Sequence, residues 1–343
     1  MWSLKKIYKL LYQREYRPNK YFRIPIYFIR LWYAIKAQHP FFFSAINPGI
    51  SGLWFLDDPK TETYKLLDKK YYPQSVTIQL PIPQSYLKDL IWQSQILYPL
   101  IIKPDGDSVQ GNNVYLIHEE NDWKKYLKKL PQWQYLLQEY IAWEEYSIYY
   151  YRYPKNNRGN ILGLTKKIYP TIVGDGYSTV WQIIQNHERY YRYYSLFKNQ
   201  YDINMEEILS SWISKQLATI GNHCKWSLFL DRSSYVSKDL ISHIDTIFQN
   251  TELYLFRLDV KWLSRNEIAS WNFKIIESNN GIFAEPTYMY DPEYKIINAY
   301  KQIANIWSHG YKIAMYNHND HNISYISIKK GRAFIKKFLV KKS

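Results

Sequence analysis

Two apolar runs constrain this chain more than any other part of it: "LYLFRLDV", 253–260, and "FKIIESNNG", 273–281. Both read as buried strands. Both carry charge where a buried strand is expected to be apolar. Side chains two apart on a strand share a face, so Arg257 and Asp259 point one way together, as do Glu277 and Asn279. If the two strands are antiparallel neighbours, Asp259, Glu277 and Asn279 converge at one end of a sheet. Adjacent carboxylates repel each other unless a cation lies between them. Two carboxylates and an amide oxygen are hard donors that suit Mg²⁺. Arg257 would face the same space, where a guanidinium could bind a phosphoryl or acyl-phosphate oxygen. The alternative is a salt bridge followed by a polar strand end and an Asn-Asn-Gly turn.

Other stretches carry weaker signals. In "IIKPDGDSVQGNNV", Lys103 follows an apolar strand and precedes a loop with Gly106 and Gly111. A lysine with flexible backbone amides can hold phosphates, although the Walker pattern is absent and a strand with a hairpin is the alternative. In "LLQEYIAWEEYSIYYY", Glu139 could sit at an adenine-binding hinge, and Glu144 or Glu145 could reach ribose hydroxyls. Alone, this is an acidic loop. "IVGDGYST" places Gly174, Asp175 and Gly176 in a turn that calls for positive φ, with Ser178 or Thr179 capping the next helix. Lys166 or Lys167, just upstream, could add positive charge over a triphosphate. His223 and Cys224 have no CxxC, HExxH or second cysteine beside them, so they read as structural.

The 343 residues allow one large domain or two to three smaller ones. A single cysteine excludes an intramolecular disulfide and fits a reducing, cytoplasmic setting. The 45 basic and 30 acidic side chains leave a net charge of +15, which favours anionic partners. No uncharged apolar run approaches the roughly 18–20 residues needed to span a bilayer, and the start lacks a signal-peptide pattern. "YFRIPIYFIRLWYAIKAQHPFFF" reads as a helix with an aromatic face and Pro25 near its start. It either packs on the body or lies on a membrane surface or acidic partner. The tail "IKKGRAFIKKFLVKKS", with seven basic residues and no acid, is a solvated helix or a surface anchor. "DDPKTETYKLL" reads as a helix capped by Asp57 or Asp58, and "WKKYLKKL" as an amphipathic helix. Strand pairs and helices alternate without a strict βαβ rhythm, so the expected class is α+β.

Taken in order, "IIKPDG", "QEYIAWEEYSI", "GDGYST", "FRLDV" and "IIESNNG" resemble the ATP-grasp superfamily of carboxylate–amine ligases. "VGDGYSTVWQII" is similar to cyanophycin-synthetase-type members. The Arg-x-Asp and Glu-x-Asn motifs resemble D-alanine–D-alanine ligases. "INPGI", "IGNHCKW" and "FAEPTYMYDP" resemble a bacterial ATP-grasp group with short N-terminal regions. The resemblance implies two α+β subdomains gripping ATP, after a short N-terminal region. The expected divisions are 1–75, basic and aromatic; 76–325, the ATP-grasp domain, split near 136–137 into nucleotide-covering and metal-binding parts; and 326–343, a basic tail.

The resemblance also implies a reaction: ATP phosphorylates a carboxylate, and an amine attacks the acyl phosphate to give an amide. Lys103, Gly106, Gly111 and Lys167 would bind phosphate, and Glu139, Tyr140 and Ile141 the adenine region. Glu145 would bind ribose, Asp259, Glu277 and Asn279 would hold Mg²⁺ (two ions, or Mn²⁺), and Arg257 would stabilise the acyl phosphate. The substrates would be a small carboxylate and an amine, such as amino acids or peptides. Three departures stand out. The phosphate loop is poor in glycine and carries Asp107, Tyr288 replaces the histidine of the similar bacterial group, and the N-terminal region is short for the substrate domain of the D-alanine ligases. The competing readings are an ATP-grasp kinase or phosphotransferase, and a non-catalytic protein using its basic ends on membrane or nucleic acid. No nucleic-acid-binding motif is present.

Overall fold

Alternating apolar residues build two antiparallel sheets. The computed structural model describes residues 8–9, 11–50, 59–106, 113–191, 197–198, 203–263 and 272–342. Asp57, Asp58, Asp107 and Gly111, singled out above, lie outside these. The chain enters through helix α1 (Asn19–Lys36) and a short α2 (Lys60–Lys65). The smaller sheet follows: β1 (Ser75–Gln79), helix α3 (Gln84–Gln93), β2 (Leu100–Pro104), β3 (Tyr115–Ile117), the single turn α4 (Trp123–Tyr126) and β4 (Gln134–Glu139). Its strand order is β1-β4-β2-β3. Leu87 and Ile91 of α3 close its core against Ile78, Ile102 and Leu137.

The larger sheet is formed by β5 (Glu144–Arg152), β6 (Gly159–Ile168), β9 (Leu228–Asp231), β10 (Leu255–Trp262) and β11 (Phe273–Asn280), in the order β11-β10-β5-β6-β9. Between β6 and β9 the chain makes a two-stranded ribbon, β7 (Thr171–Val173) with β8 (Ser214–Gln216), and helix α5 (Val180–Asn186). Thr179 caps α5 in a reciprocal capping box with Gln182, which settles the choice between Ser178 and Thr179. Of the two glycines in the preceding turn, Gly176 has positive φ, at +89°. Gly174 is needed for space instead, because a Cβ there would lie 2.4 Å from the Ser210 carbonyl oxygen.

The two faces of the larger sheet have different fates. Tyr146, Ile148 and Tyr150 of β5 and Phe256, Leu258, Val260 and Trp262 of β10 pack under helix α6 (Lys238–Phe248). The opposite face is divided. Tyr149 and Leu255 lie in the core that includes α1 and the long α7 (Ile296–Asp320). The rest of that face carries polar and charged side chains. The basic tail is helical, as α8 (Ile328–Lys342).

Two expectations are corrected. Pro25 lies inside α1, in its second turn, and Pro18 precedes the first residue. Pro25 is on the exposed side, so the carbonyl its ring leaves without a donor can reach water. "WKKYLKKL" is helical only over Trp123–Tyr126. The pairs Lys124–Lys128 and Lys125–Lys129 would place like charges one turn apart if the helix continued.

The turn "INPGI" contributes more than a change of direction. The Asn47 side-chain oxygen accepts from the backbone N–H of Tyr254 (2.7 Å) and Leu255 (3.0 Å), and its amide donates to the Leu255 carbonyl (2.8 Å). Asn47 thus acts as a short strand partner at the buried start of β10. Asn47→Ala takes the acceptor from the Tyr254 and Leu255 N–H groups, while the Leu255 carbonyl keeps the Gly281 N–H, and a loss of about 2–4 kcal/mol is expected in urea unfolding.

Candidate active site

Strand register decides which side chains meet. Asp259 pairs with Ser147 on one side and Glu277 on the other, Arg257 pairs with Asn279, and Lys261 pairs with Glu145, which pairs with Lys167. A bulge separates Asp259/Glu277 from the next pair, Val260/Ile275, leaving Ile276 as the extra residue on β11. Without it, Glu277 and Asn279 would share a face with Ile275 and Phe273, which are in the core. The bulge switches the alternation, so the first half of "FKIIESNNG" fills the core and the second half faces the cavity. Asp259, Glu277, Asn279 and Arg257 therefore converge as expected and line one cavity of about 400 Å³ between the two sheets.

The smaller sheet reaches across to the bulge. The Lys103 ammonium donates to Gln138 Oε1 (2.8 Å) and to the Ile276 carbonyl (3.0 Å), and the Tyr64 hydroxyl donates to the same carbonyl (2.6 Å). Burial, with Lys60 nearby, pushes the Lys103 pKa down to about 7. Lys60 lies 3.9 Å from Glu277 and donates to the Pro104 carbonyl.

An inner layer of charge sits under the cavity. Asp259 accepts from the Ser147 hydroxyl and is met by Lys167 at 3.2 Å and Arg257 at 3.3 Å. Burial raises the Asp259 pKa, but Arg257 and Lys167 outweigh it and hold the carboxyl below its ordinary value. Burial likewise works against charged Lys167, and Asp259 and Glu145 overcome it, so its pKa is raised. Glu145 accepts from Lys167 (2.7 Å) and the Tyr169 hydroxyl, with Lys261 at 3.8 Å. Burial, partly offset by Glu145, lowers the pKa of Lys261. Gly221 is required by this arrangement, since a Cβ there would lie 2.7 Å from the Glu145 carboxylate.

Alternation separates the members of the two pairs that the sequence left open. Lys167 and Glu145 face the cavity, whereas Lys166 and Glu144 pair with each other on the other side of the sheet. The Glu145 carboxylate is engaged by lysines and a tyrosine. Glu139, Tyr140 and Ile141 line the cavity where the chain passes from β4 to β5. Gly106, with φ +138°, ends the described part of the phosphate-loop candidate. Tyr288 is buried with its ring where a Cβ on Gly163 would be, 2.2 Å away.

Several lining residues were not picked out from sequence. Lys261 continues the Arg257–Asp259 alternation by one more step and was readable on that ground. Asn19, Arg23 and Lys60 come from distant segments, and no local pattern marks them; His223, read above as structural, also lines the cavity. Arg14, 1% exposed, ties the outer wall together by donating to Asn19 (2.7 Å), Glu285 (2.6 Å) and the Tyr290 hydroxyl (2.8 Å). His223 lies 4.0 Å from Glu15, but burial with Arg14 and Arg189 nearby lowers its pKa to about 3, so it is neutral at pH 7 and forms no ion pair there.

The donor set fits a hard cation. Among the described residues no three His, Cys, Asp or Glu side chains cluster. Asp259, Glu277 and the Asn279 amide instead supply two carboxylates and one neutral oxygen. The Asn279 side-chain nitrogen is buried without a hydrogen-bond partner. Rotating the amide would turn its oxygen into that position.

No protein-family model matches the chain. Over 183 residues it is 29% identical to the D-alanine–D-alanine ligase of Petrotoga mobilis, covering 52% of each protein. The chain thus spans about half the length of this curated relative. The D-alanine–D-alanine ligases are among the ATP-grasp ligases that the short motifs resemble, so the longer match and the motifs point to the same superfamily. Among solved structures, the D-alanine–D-alanine ligase of Coxiella burnetii aligns with a TM-score of 0.41 at 9% identity, covering 82% of this chain and 61% of that one. A bifunctional glutathione synthetase from Pasteurella multocida gives 0.36 at 14% identity, covering 71% and 35%. These superpositions are loose and carry no residue assignments.

Glu145→Gln removes the charge facing two buried lysines. Lys167 keeps Asp259, but Lys261 loses its carboxylate, and a loss of about 3 kcal/mol is expected in urea unfolding.

Proposed function

We propose that the chain is an ATP- and Mg²⁺-dependent ligase that joins a carboxylate to an amine through an acyl phosphate. The observation that carries this reading is the convergence of Arg257, Asp259, Glu277 and Asn279 on one wall of the cavity, with Lys103 arriving from the opposite sheet. The division expected near 136–137 falls inside β4, which belongs to the smaller sheet, so we read 76–139 as the nucleotide-covering part and the chain from there to 325 as the metal-binding part. A cytoplasmic setting suits the reading.

Asp259, Glu277 and Asn279 would hold one or two Mg²⁺ ions (or Mn²⁺), whose chemistry is to neutralise charge on the phosphates. Lys103 and Lys167 would hold phosphate, and backbone groups at Glu139, Tyr140 and Ile141 would read the adenine edge. Glu145 would bind ribose from the cavity wall and keep Lys167 and Lys261 aligned. Phosphoryl transfer depends on in-line placement and charge neutralisation more than on covalent help from the protein. A carboxylate oxygen attacks the γ-phosphorus and the bond to ADP breaks. The amine nitrogen then attacks the acyl carbon, the bond to phosphate breaks, and the amine proton is lost. Arg257 would stabilise the oxygen charge in both steps. Burial works against its charged form, but Asp259 and Glu277 more than compensate, so it stays charged. Amino acids or small peptides suit a cavity walled by both acids and bases.

Mg²⁺-ATP at a hundredfold excess over its dissociation constant is expected to stabilise the protein by about 2.7 kcal/mol, read as a raised unfolding midpoint. Glu277→Ala is expected to reduce that rise. A well-folded wild type with no response at millimolar nucleotide would overturn the reading. Activity is checked by amine-dependent phosphate release in a screen of amino acids and peptides.

The Lys103 shift predicts a proton linkage. At pH 8 a group of pKa about 7 is mostly neutral in the free protein. Phosphates beside it favour the charged form, so binding draws a proton from solvent. At pH 6 the lysine is already charged and that uptake falls away. Calorimetry in buffers of different ionisation enthalpy measures this directly, and Lys103→Met is expected to abolish the pH 8 uptake.

A further inference from the structure

Helix α1 is apolar on two sides, and only one of them is covered. Phe22 and Ile26 are buried against the body. Ile24, Phe28, Leu31, Trp32 and Ile35 recur at three- and four-residue spacing on another side and are 50%, 69%, 56%, 62% and 65% exposed. An exposed row of large apolar side chains marks an interaction surface, whereas scattered single ones do not.

The charge around the row is of one sign. No acid occurs between Glu15 and Asp57, and Lys20, Arg23 and Lys36 of the helix are exposed. The second basic helix starts beside the end of the first. The Ile326 amide donates to the Ser44 hydroxyl (3.0 Å), the His39 and Tyr325 rings lie 5.1 Å apart, and Phe41 occupies the space where a Cβ on Gly331 would be. No acid follows Asp320, and Lys329, Lys330, Arg332 and Lys336 of α8 are exposed.

We propose that α1 lies in the plane of an anionic phospholipid surface, its apolar row in the headgroup–acyl boundary and its lysines and arginines on lipid phosphates, with α8 as a second basic contact. An 18-residue helix is about 27 Å long. No helix among the described residues is long and apolar enough to cross a membrane, so the contact is parallel to the surface. A second copy of the chain fits less well, because pairing this face with itself would bring basic flanks together. Nucleic acid would meet the cations but has no use for Ile24, Leu31 and Ile35. The proposal does not rest on the ligase reading. The first turn of the same helix does supply Asn19 and Arg23 to the cavity wall, so docking would place the cavity near the lipid.

The test is sedimentation of the full chain with vesicles of phosphatidylcholine alone and of phosphatidylcholine with phosphatidylglycerol. Binding is expected to the anionic vesicles, weakening as salt is raised. The triple change Phe28→Glu, Leu31→Glu, Trp32→Glu is expected to lower the partition coefficient by about tenfold or more. All three positions are exposed, so the thermal midpoint and the response to Mg²⁺-ATP are expected to be retained. Unchanged binding by the triple variant, equal binding to neutral vesicles, or no binding by the wild type would overturn the proposal. So would a wild-type dimer in light scattering that the triple variant dissolves while neither protein binds vesicles.

Discussion

The contact between the Lys103 ammonium and the Ile276 carbonyl joins what the rest of the structure keeps apart. Ile276 is the extra residue of the bulge in β11, and the bulge turns Glu277 and Asn279 out of the core. A carbonyl released from regular pairing needs a donor, and Lys103 and Tyr64 supply two. One irregularity thus aims the acidic side chains and anchors the opposing sheet above them. The cavity lies between the sheets because this contact holds them in reach of each other.

The electrostatics follow from the same layout. Lys167, Lys261 and Arg257 stand against Asp259 and Glu145 in the buried layer. Each charge would be costly alone in that setting; neighbours more than offset burial for Lys167, Arg257 and Asp259, and only in part for Lys261. The surplus of positive charge favours a polyanion in the cavity. Burial also prevails at Lys261, and at Lys103 it brings the pKa down to about 7, so Lys103 gains from an arriving phosphate.

The parts of the site readable in sequence are those that local periodicity controls. Arg257 with Asp259, and Glu277 with Asn279, were assigned common faces from two-residue spacing, and the register places them opposite each other. The same rule separates Lys167 from Lys166 and Glu145 from Glu144 once one member of each pair is known to face inward. Asn19, Arg23, Lys60 and the Arg14–Glu285 contact could not be read this way. They meet the cavity through segments hundreds of residues apart, and no period connects them. Asn47 is an intermediate case. Its turn was evident, but its pairing with β10 depended on where that strand lies.

The sequence by itself determined the α+β class, the strands that carry the acidic residues, and the resemblance to ATP-grasp ligases, because alternation and short motifs are local properties of the chain. Tertiary structure alone decided that a bulge at Ile276 would change the phase of β11, that the Glu145 carboxylate would be taken up by lysines, and that one row of α1 would be left uncovered. Those outcomes depend on which surfaces meet after folding, and burial and pairing between distant segments are what decide that.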